Sequence, residues 1–272
     1  MRFLVILGLC FLFGKASAQE LFVFTEPASN MATGTLGIRM NNSFMYGSSS
    51  FDASYQFAPE LMLGVNKKLM LHVEGFFNNS NNNRFSYVGI AGYAKYRFYS
   101  VDDVHSHFRM AAFGRISSSN SPIMQEAIDL NGSNTGYEAG LVATKLLNKF
   151  AYSASASFLY AMDNRGGNKF VFGYSHRNAF AYSASIGKLL LPKVYTSYKQ
   201  TNLNAMLEFL GQANSASGRG YLDIAPSFQL IINSVARIDV GQRIKIGGNL
   251  QRTAANTGFL RLEYNFFNLF NK

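Results

Sequence analysis

Polar and apolar residues alternate along most of this chain, and residues 258–270 show the pattern clearly. The even-numbered positions include Leu260, Leu262, Tyr264, Phe266 and Phe270 and are apolar except at Asn268. The odd-numbered positions include Arg261, Glu263 and Asn265. Side chains of a β-strand point alternately to opposite faces of the sheet. This stretch therefore predicts a strand with one apolar and one charged face.

The same alternation recurs throughout, between short stretches rich in Gly, Ser and Asn. It predicts twelve strands, at about 32–46, 54–65, 69–77, 84–99, 105–117, 136–147, 150–163, 178–190, 199–213, 218–233, 235–248 and 258–270. Pro59 cannot donate to a ladder, so it predicts a bulge or a local loss of pairing in the second strand. Most of these segments match or exceed the roughly 9 to 11 residues of a tilted membrane-spanning strand.

The connections between the predicted strands alternate in length. Those at 47–53, 79–84, 118–134, 164–177, 213–218 and 249–255 are mostly longer than those at 66–68, 100–104, 148–149, 191–198 and 233–235. A soluble β-sandwich has no reason to sort its loops in this way. Long outer loops and short periplasmic turns produce the pattern in a membrane barrel, with both termini periplasmic.

Composition supports a barrel in lipid. Only 15% of residues are charged, against roughly 25% in soluble domains, and no stretch after residue 31 is long and apolar enough for a membrane helix. Closing a sheet pairs every backbone group, which lipid requires. We therefore predict an all-β fold: a transmembrane antiparallel up-and-down β-barrel of about twelve strands, in which residues 32–272 form one domain.

The aromatic-rich last strand, which ends at Phe270, resembles the C-terminal assembly signal of Gram-negative outer-membrane β-barrels of the porin and transporter kind. Asn271 and Lys272 follow that Phe, a small departure from the pattern. The resemblance covers the whole mature chain as an architecture. It implies a location in the cell outer membrane, contact with outer-membrane lipid, and insertion by the barrel-assembly machinery through the C-terminal strand.

Residues 1–18 have the pattern of a cleaved signal peptide, with Arg2 before an apolar run and Ala16-Ser17-Ala18 as the cleavage site. Cys10 is the only cysteine, so the mature chain would hold neither a disulfide nor a thiol nucleophile. Residues 19–31 have no polar face. They could pack under the barrel, enter the lumen as a small plug, or dock a periplasmic partner.

The side chains that alternation directs towards the inside of the barrel carry most of the charge. Its candidate lumen-lining residues are Arg39, Lys95, Arg97, Arg109, Arg115, Arg237, Asp239, Arg243, Lys245, Arg261 and Glu263, and the same face holds Glu60, Glu74, Glu138, Glu208 and Asp223. These groups either neutralise one another in a closed lumen or line a narrow, mildly cationic pore that favours small polar or anionic solutes. Basic residues that alternate with acids and point inward exclude nucleic acid as a partner.

The third long connection is a candidate constriction loop. Ser121-Pro122 reads as a helix N-cap followed by proline in the first turn, which predicts a short helix over residues 122–130. Glu126 and Asp129 would then face Arg97, Arg109 and Arg115 across the channel. The alternative is a helix that lies over the outer rim.

Catalytic and metal signals are weak. His72, Glu74 and His107 are the only metal-ligand candidates, and on charged neighbouring strands they read as a hydrogen-bond network, so we expect neither metal nor cofactor. Some twelve-stranded outer-membrane barrels are phospholipases with a Ser-His pair on the lipid face, but Ser106 and His107 lie on opposite faces near a turn. We predict a non-enzymatic channel or small-substrate transporter; a structural or adhesive barrel with a blocked lumen is the second hypothesis and a lipid hydrolase the third.

Overall fold

The computed structural model describes residues 22–46, 54–79, 84–103, 106–194 and 199–268. The predicted signal peptide and Phe270 lie outside these ranges. Twelve strands follow in order: β1 Leu36–Tyr46, β2 Ser54–Gly64, β3 Leu69–Asn78, β4 Ser86–Asp102, β5 Ser106–Ser119, β6 Gly136–Leu147, β7 Phe150–Ala161, β8 Asn178–Leu191, β9 Asn202–Ala213, β10 Gly220–Ile232, β11 Ala236–Gly248 and β12 Asn256–Phe266. Two short 3₁₀ turns, Arg165–Gly167 and Tyr174–Arg177, precede β8.

The twelve strands form one closed sheet. Each pairs antiparallel with its neighbours in sequence, and β12 returns to β1 with Leu36 opposite Phe266. The predicted all-β, up-and-down barrel of twelve strands is therefore confirmed. Across the described ranges, no helix has the length and apolar character needed to cross a membrane.

The alternation of side chains divides the wall into an apolar outside and a polar inside. On β1, Arg39 is buried and the next residue, Met40, is exposed. The outer face carries an exposed apolar belt that includes Leu61, Val73, Ile90, Leu141, Phe228, Val240, Leu262, Tyr264 and Phe266. Apolar side chains that are exposed all around a closed barrel are unfavourable in water, so this surface is suited to contact with lipid.

Strand boundaries differ from the predicted ones in places with a local cause. β1 begins at Leu36 rather than at residue 32, because residues 32–35 form a turn that bonds to Gly64. β12 ends at Phe266, and Asn268 adopts a left-handed backbone with φ of 59°. Pairing between β2 and β3 is lost locally at Pro59. Phe57 and Glu60 pair with β3 in the same register, but the two residues between them have no partner on β3.

Strict alternation along the predicted strand 84–99 puts Val88 on the outer face with Ile90, but Val88 lies on the inner face. Phe76 pairs with Gly89 and Phe77 pairs with Tyr87, so β4 has one extra residue at Val88. A bulge of one residue reverses the parity on one side of it. Val88 is accordingly buried in the lumen, where it packs with Ala58, Phe76 and Ala91.

The connections separate by length between the two ends of the barrel. The strand ends that flank the connections 47–53, 79–85, 120–135, 162–177, 214–219 and 249–255 lie at one end of the barrel, here called the long-loop end. The strand ends that flank the connections 65–68, 103–105, 148–149, 192–201 and 233–235 lie at the other, here called the short-turn end. The connection 192–201 is longer than the other turns at its end. The periplasmic position of the termini stays a prediction.

Candidate functional site

The N-terminal segment, residues 22–31, lies inside the barrel. Phe22, Val23, Ala28 and Met31 are all buried, although none belongs to a strand. Phe22 and Val23 pack with Ala151, Met206 and Phe259, Ala28 packs with Ala111 and Val142, and Met31 packs with Met62 and Met70. Of the three positions open to residues 19–31, the described part occupies the lumen.

The side-chain carboxylate of Glu208 on β9 binds the backbone at the start of this segment. Its Oε1 accepts hydrogen bonds from the N–H groups of Val23 at 2.9 Å and Phe24 at 3.1 Å, and its Oε2 accepts one from Thr25 at 2.7 Å. The Ser185 hydroxyl donates to Thr25 Oγ1 at 2.8 Å and to Glu208 at 3.3 Å. Three consecutive N–H groups thus converge on one buried carboxylate, an arrangement that binds anions well.

The rest of the segment bonds to the opposite wall. Lys95 Nζ lies 3.2 Å from the Glu26 carboxylate and donates to the Pro27 carbonyl at 2.7 Å. Arg39 lies 3.8 Å from Glu26, and the Ala28 N–H donates to Thr144 at 2.9 Å. The segment therefore crosses the lumen from β9 to β4 and β6.

The connection 120–135, here called the lid loop, crosses the lumen at the long-loop end. The N–H of Ile128 donates to the Gln212 amide at 2.9 Å, and that amide donates back to the Ile128 carbonyl at 2.8 Å. Glu126 and Ala127 both donate their N–H groups to the carbonyl of Gln251, each at 3.1 Å. The lid loop thus connects β5 to β6, and its hydrogen bonds to Gln212 and Gln251 hold it against the other side of the barrel.

The predicted helix over residues 122–130 is wrong, because no helix forms in the lid loop. Its N–H groups bond to Gln212 and Gln251 instead of to carbonyls one turn earlier. The Ser121 hydroxyl donates to the Gly132 carbonyl instead of capping. A helix of about two turns is marginal on its own, so these long-range bonds decide the conformation.

The apolar residues of the lid loop are buried against the inner wall and the next long connection. Ile123, Ile128 and Leu130 pack with Leu159, Phe170 and Ala179. Phe170 is held by Asp163, whose carboxylate accepts its N–H at 2.9 Å and also binds Arg177 at 2.6 Å. The Phe170 N–H and then Arg177 lower the pKa of Asp163. This support is present above the usual pKa of Asp and is lost as pH falls through the lowered one.

A chamber of about 410 Å³ lies between the two inserted elements. Val23 to Glu26 form its floor, the lid loop forms its roof, and strand side chains form its wall. Its volume is within the range of roughly 300 to 1,000 Å³ found for small-molecule sites.

Acidic groups dominate one side of the chamber wall. Glu60 on β2 binds Arg39 at 3.1 Å and contacts His72. Glu74 binds Arg115 at 2.9 Å, while Glu138 accepts a hydrogen bond from the Ser157 hydroxyl at 2.6 Å. Below the chamber, Arg39 also binds Glu263 at 2.8 Å, and Glu263 binds Arg237 at 3.0 Å. Carboxylates outnumber guanidiniums on this side.

Basic groups dominate the other side. Arg243 and Arg252 share the buried carboxylate of Asp223, with Arg243 at 2.6 Å, and the Arg252 guanidinium lies 4.1 Å from the centre of the Tyr221 ring. Arg261 on β12 donates to Asn41 at 2.7 Å, and within the described residues no carboxylate lies in salt-bridge range of it. Strand β12 stands six strands from β6 in the twelve-strand ring, so Arg261 faces Glu138 across the barrel.

The predicted lumen residues divide into three groups. Arg39, Arg115, Arg243 and Arg261 line the chamber. Arg237, Asp239, Glu263 and Lys95 are buried in ion pairs below it. Arg97, Arg109 and Lys245 do not line it: Arg97 donates to the Lys67 carbonyl at 2.6 Å, Arg109 binds Asp102 at 2.9 Å, and Lys245 is exposed near the end of β11.

The predicted contacts of Glu126 and Asp129 with Arg97, Arg109 and Arg115 are wrong. Glu126 lies 3.2 Å from Arg219, in the connection after β9, and 3.7 Å from His176, in the connection after β7. Asp129 accepts bonds within its own loop, from the Asn131 N–H and the Ser133 hydroxyl, each at 2.9 Å. Arg115 is reached instead by Asn131, at 2.7 Å, because the extended loop carries Glu126 past the lumen axis.

The metal candidates are apart from one another. His72 contacts Glu60 and lies in the lumen, whereas His107 contacts Asp102 at 2.9 Å at the short-turn end. Throughout the described part of the chain, no three His, Cys, Asp or Glu side chains form a group that could hold a metal ion.

Several residues at the site were missed from sequence. Glu26 and Arg252 belong to segments without a clear alternation, so their parity gave no direction, whereas Tyr221 shares the inward parity of Asp223 on β10. Tyr93 lies on the inner parity of β4, and its position between Gly92 and Ala94 could have marked it as a lumen aromatic.

No family model matches the sequence, and no curated protein sequence matches it. Among solved structures, the chain is similar to the KdgM porin, with a TM-score of 0.50 and 11% identity over 85% of this chain and 99% of that one. The chain has the fold of an outer-membrane β-barrel.

Two further outer-membrane barrels are more distant. Salmonella typhi OmpF, solved in complex with daunomycin, gives a TM-score of 0.37 at 10% identity over 88% of this chain and 98% of that one. Acinetobacter baumannii OccAB4 gives 0.37 at 10% identity over 88% of this chain and 63% of that one.

Proposed function

We propose that this protein is an outer-membrane channel or small-substrate transporter that passes small polar solutes, with a preference for those that carry negative charge. The observation that carries this proposal is the chamber, a charged cavity of about 410 Å³ inside a closed barrel. The N-terminal segment lines one end of this chamber and the lid loop lines the other.

The charge on its wall supports the preference for anions. Arg243 and Arg252 share the carboxylate of Asp223, and among the described residues Arg261 has no carboxylate partner and binds the neutral Asn41. Excess positive charge in a narrow, poorly hydrated passage lowers the free energy of an anion there and raises that of a cation. The carboxylates Glu74 and Glu138 on the opposite side would limit this preference, so selectivity should be mild.

A structural or adhesive barrel is the second candidate. The filling of both ends, by the N-terminal segment below and the lid loop above, favours it. The two functions differ in whether solute ever crosses the intact protein, and that difference can be measured.

The test uses purified intact protein in planar bilayers and in proteoliposomes. We expect brief openings and slow uptake of small charged solutes, with a reversal potential in a KCl gradient that shows mild anion selectivity. Arg261→Gln should shift that potential towards cation selectivity and Glu138→Gln, a matched change on the opposite wall, towards anions. Folded protein that shows neither openings nor uptake would overturn the channel proposal in favour of the blocked barrel.

A further inference from the structure

We propose that residues 22–31 are a displaceable plug, and that the lumen wall around Glu208 is a binding site for the backbone of this segment. As a gate the plug rests on the proposed channel function; as a bound peptide it does not. Three independent features of the segment and its wall support the proposal.

The first feature is the way in which Glu208 is satisfied. Its side chain is fully buried on β9. A buried carboxylate usually needs a cation, yet within the described residues no Lys, Arg or His pairs with it. It accepts three N–H groups of the segment and one hydroxyl instead. The wall therefore holds a negative charge whose main partner is this stretch of backbone.

The second feature is that the segment makes no strand ladder. Its backbone hydrogen bonds run to wall side chains, namely Glu208, Thr144, Lys95 and Met70. Water can replace such bonds one at a time, whereas a ladder must break cooperatively. The barrel can thus release the segment without losing any strand pairing, which is the condition for a reversible plug.

The third feature is the connection to β1. Gly34 has a φ of 73°, a left-handed conformation that glycine adopts without strain. Its N–H bonds to the Gly64 carbonyl at 2.8 Å, at the short-turn end of the barrel. The segment is therefore tethered at the rim, and residues 32–35 can act as the hinge about which it leaves.

Displacement would open the chamber from below. Val23 to Glu26 form its floor, and removing Glu26 would free Lys95 and Arg39 from one of their carboxylate partners. The open lumen would then be more cationic than the closed one. The lid loop would remain at the other end.

A disulfide lock tests the gate. Thr25 Oγ1 and Ser185 Oγ are 2.8 Å apart, so Thr25→Cys with Ser185→Cys should form a bond when oxidised. We expect no openings from the oxidised protein and wild-type openings after reduction, with oxidised Thr25→Cys alone as the control. An oxidised lock that opens as often as wild type would refute the gate.

A second variant tests the site itself. Glu208→Gln loses the charge and turns a donor towards the segment, so the open fraction should rise by about tenfold, because bonds to a charged acceptor are among the stronger ones. Asp239→Asn, which removes a buried wall carboxylate that neither lines the chamber nor contacts the segment, should leave the open fraction unchanged. Equal effects of both changes would refute a specific role for Glu208.

Peptide binding separates this proposal from the channel function. Protein lacking residues 22–31 should bind a labelled peptide of those residues, measured by fluorescence anisotropy in detergent, and Glu208→Gln should weaken binding by about tenfold. No binding by correctly folded barrels would overturn the plug site. Binding by a protein that never conducts would sustain the site and remove only the gate.

Discussion

Replacing Arg39 by Met should destabilise the barrel more than replacing an exposed arginine does. The Arg39 side chain is 2% exposed and binds Glu60 at 3.1 Å and Glu263 at 2.8 Å. Glu263 keeps Arg237 as a partner when Arg39 is removed. Glu60 keeps only His72, so one buried carboxylate is left without a strong cation.

The expected loss follows from that uncompensated charge. Removing one partner of a buried ion pair costs about 3 to 5 kcal/mol. Because water can enter the lumen near the chamber, we expect about 3 kcal/mol, roughly a hundredfold in the unfolding equilibrium. The double variant Arg39→Met with Glu60→Gln should recover more than half of the loss, since it removes the orphaned charge as well.

Urea unfolding in lipid vesicles, followed by far-UV circular dichroism, measures the effect. The chain has no tryptophan, so tryptophan fluorescence is not an option. Arg165→Met, at an exposed loop position, is the control and should change stability by less than about 0.5 kcal/mol. A loss below about 1 kcal/mol for Arg39→Met, or no recovery in the double variant, would contradict the assigned role.

Three further changes test the lid loop, the orientation and the outer face. Deleting Ile123–Leu130 should raise conductance while the folded barrel remains, and unchanged conductance in an open channel would exclude a constriction. Lys169→Cys should react with an impermeant thiol reagent on intact cells and Lys67→Cys should not; equal labelling would contradict long outer loops. Phe266→Asp should lower outer-membrane levels, because a charge facing lipid costs up to a few kcal/mol, whereas Asn66→Asp in a turn should leave them normal.

The strands were predictable because a wall between two solvents imposes a period of two on every segment. Lipid on one side and a polar lumen on the other leave no freedom about which parity is apolar. The error at Val88 shows the limit of this reasoning. A single inserted residue reverses the parity locally, and nothing in the composition of β4 marks where the insertion lies.

The lumen contents were much less predictable. The segment around Phe22 has no polar face because the wall surrounds it on several sides, so periodicity gave no direction. The lid loop carries a good local helix signal at Ser121-Pro122, but its bonds to Gln212 and Gln251 are non-local and outweigh that signal. Of the named candidates, Arg39, Arg115, Arg243 and Arg261 line the chamber, and contacts across the lumen decided which partners they meet.

The barrel wall is uneven in side-chain volume, and this follows from two similar hexapeptides. Phe-Ala-Tyr-Ser-Ala-Ser stands at 150–155 on β7 and at 180–185 on β8, and in both copies Tyr points out while the serines point in. The inner positions of these two hexapeptides on β7 and β8 therefore hold only small side chains, whereas β11, β12 and β1 place Arg237, Arg243, Arg261 and Arg39 inside. The void beside the small side chains is where the backbone near Thr25 lies. Small serine side chains on two paired strands thus leave room inside a narrow barrel. The volume that larger side chains would have occupied limits the size of an inserted peptide.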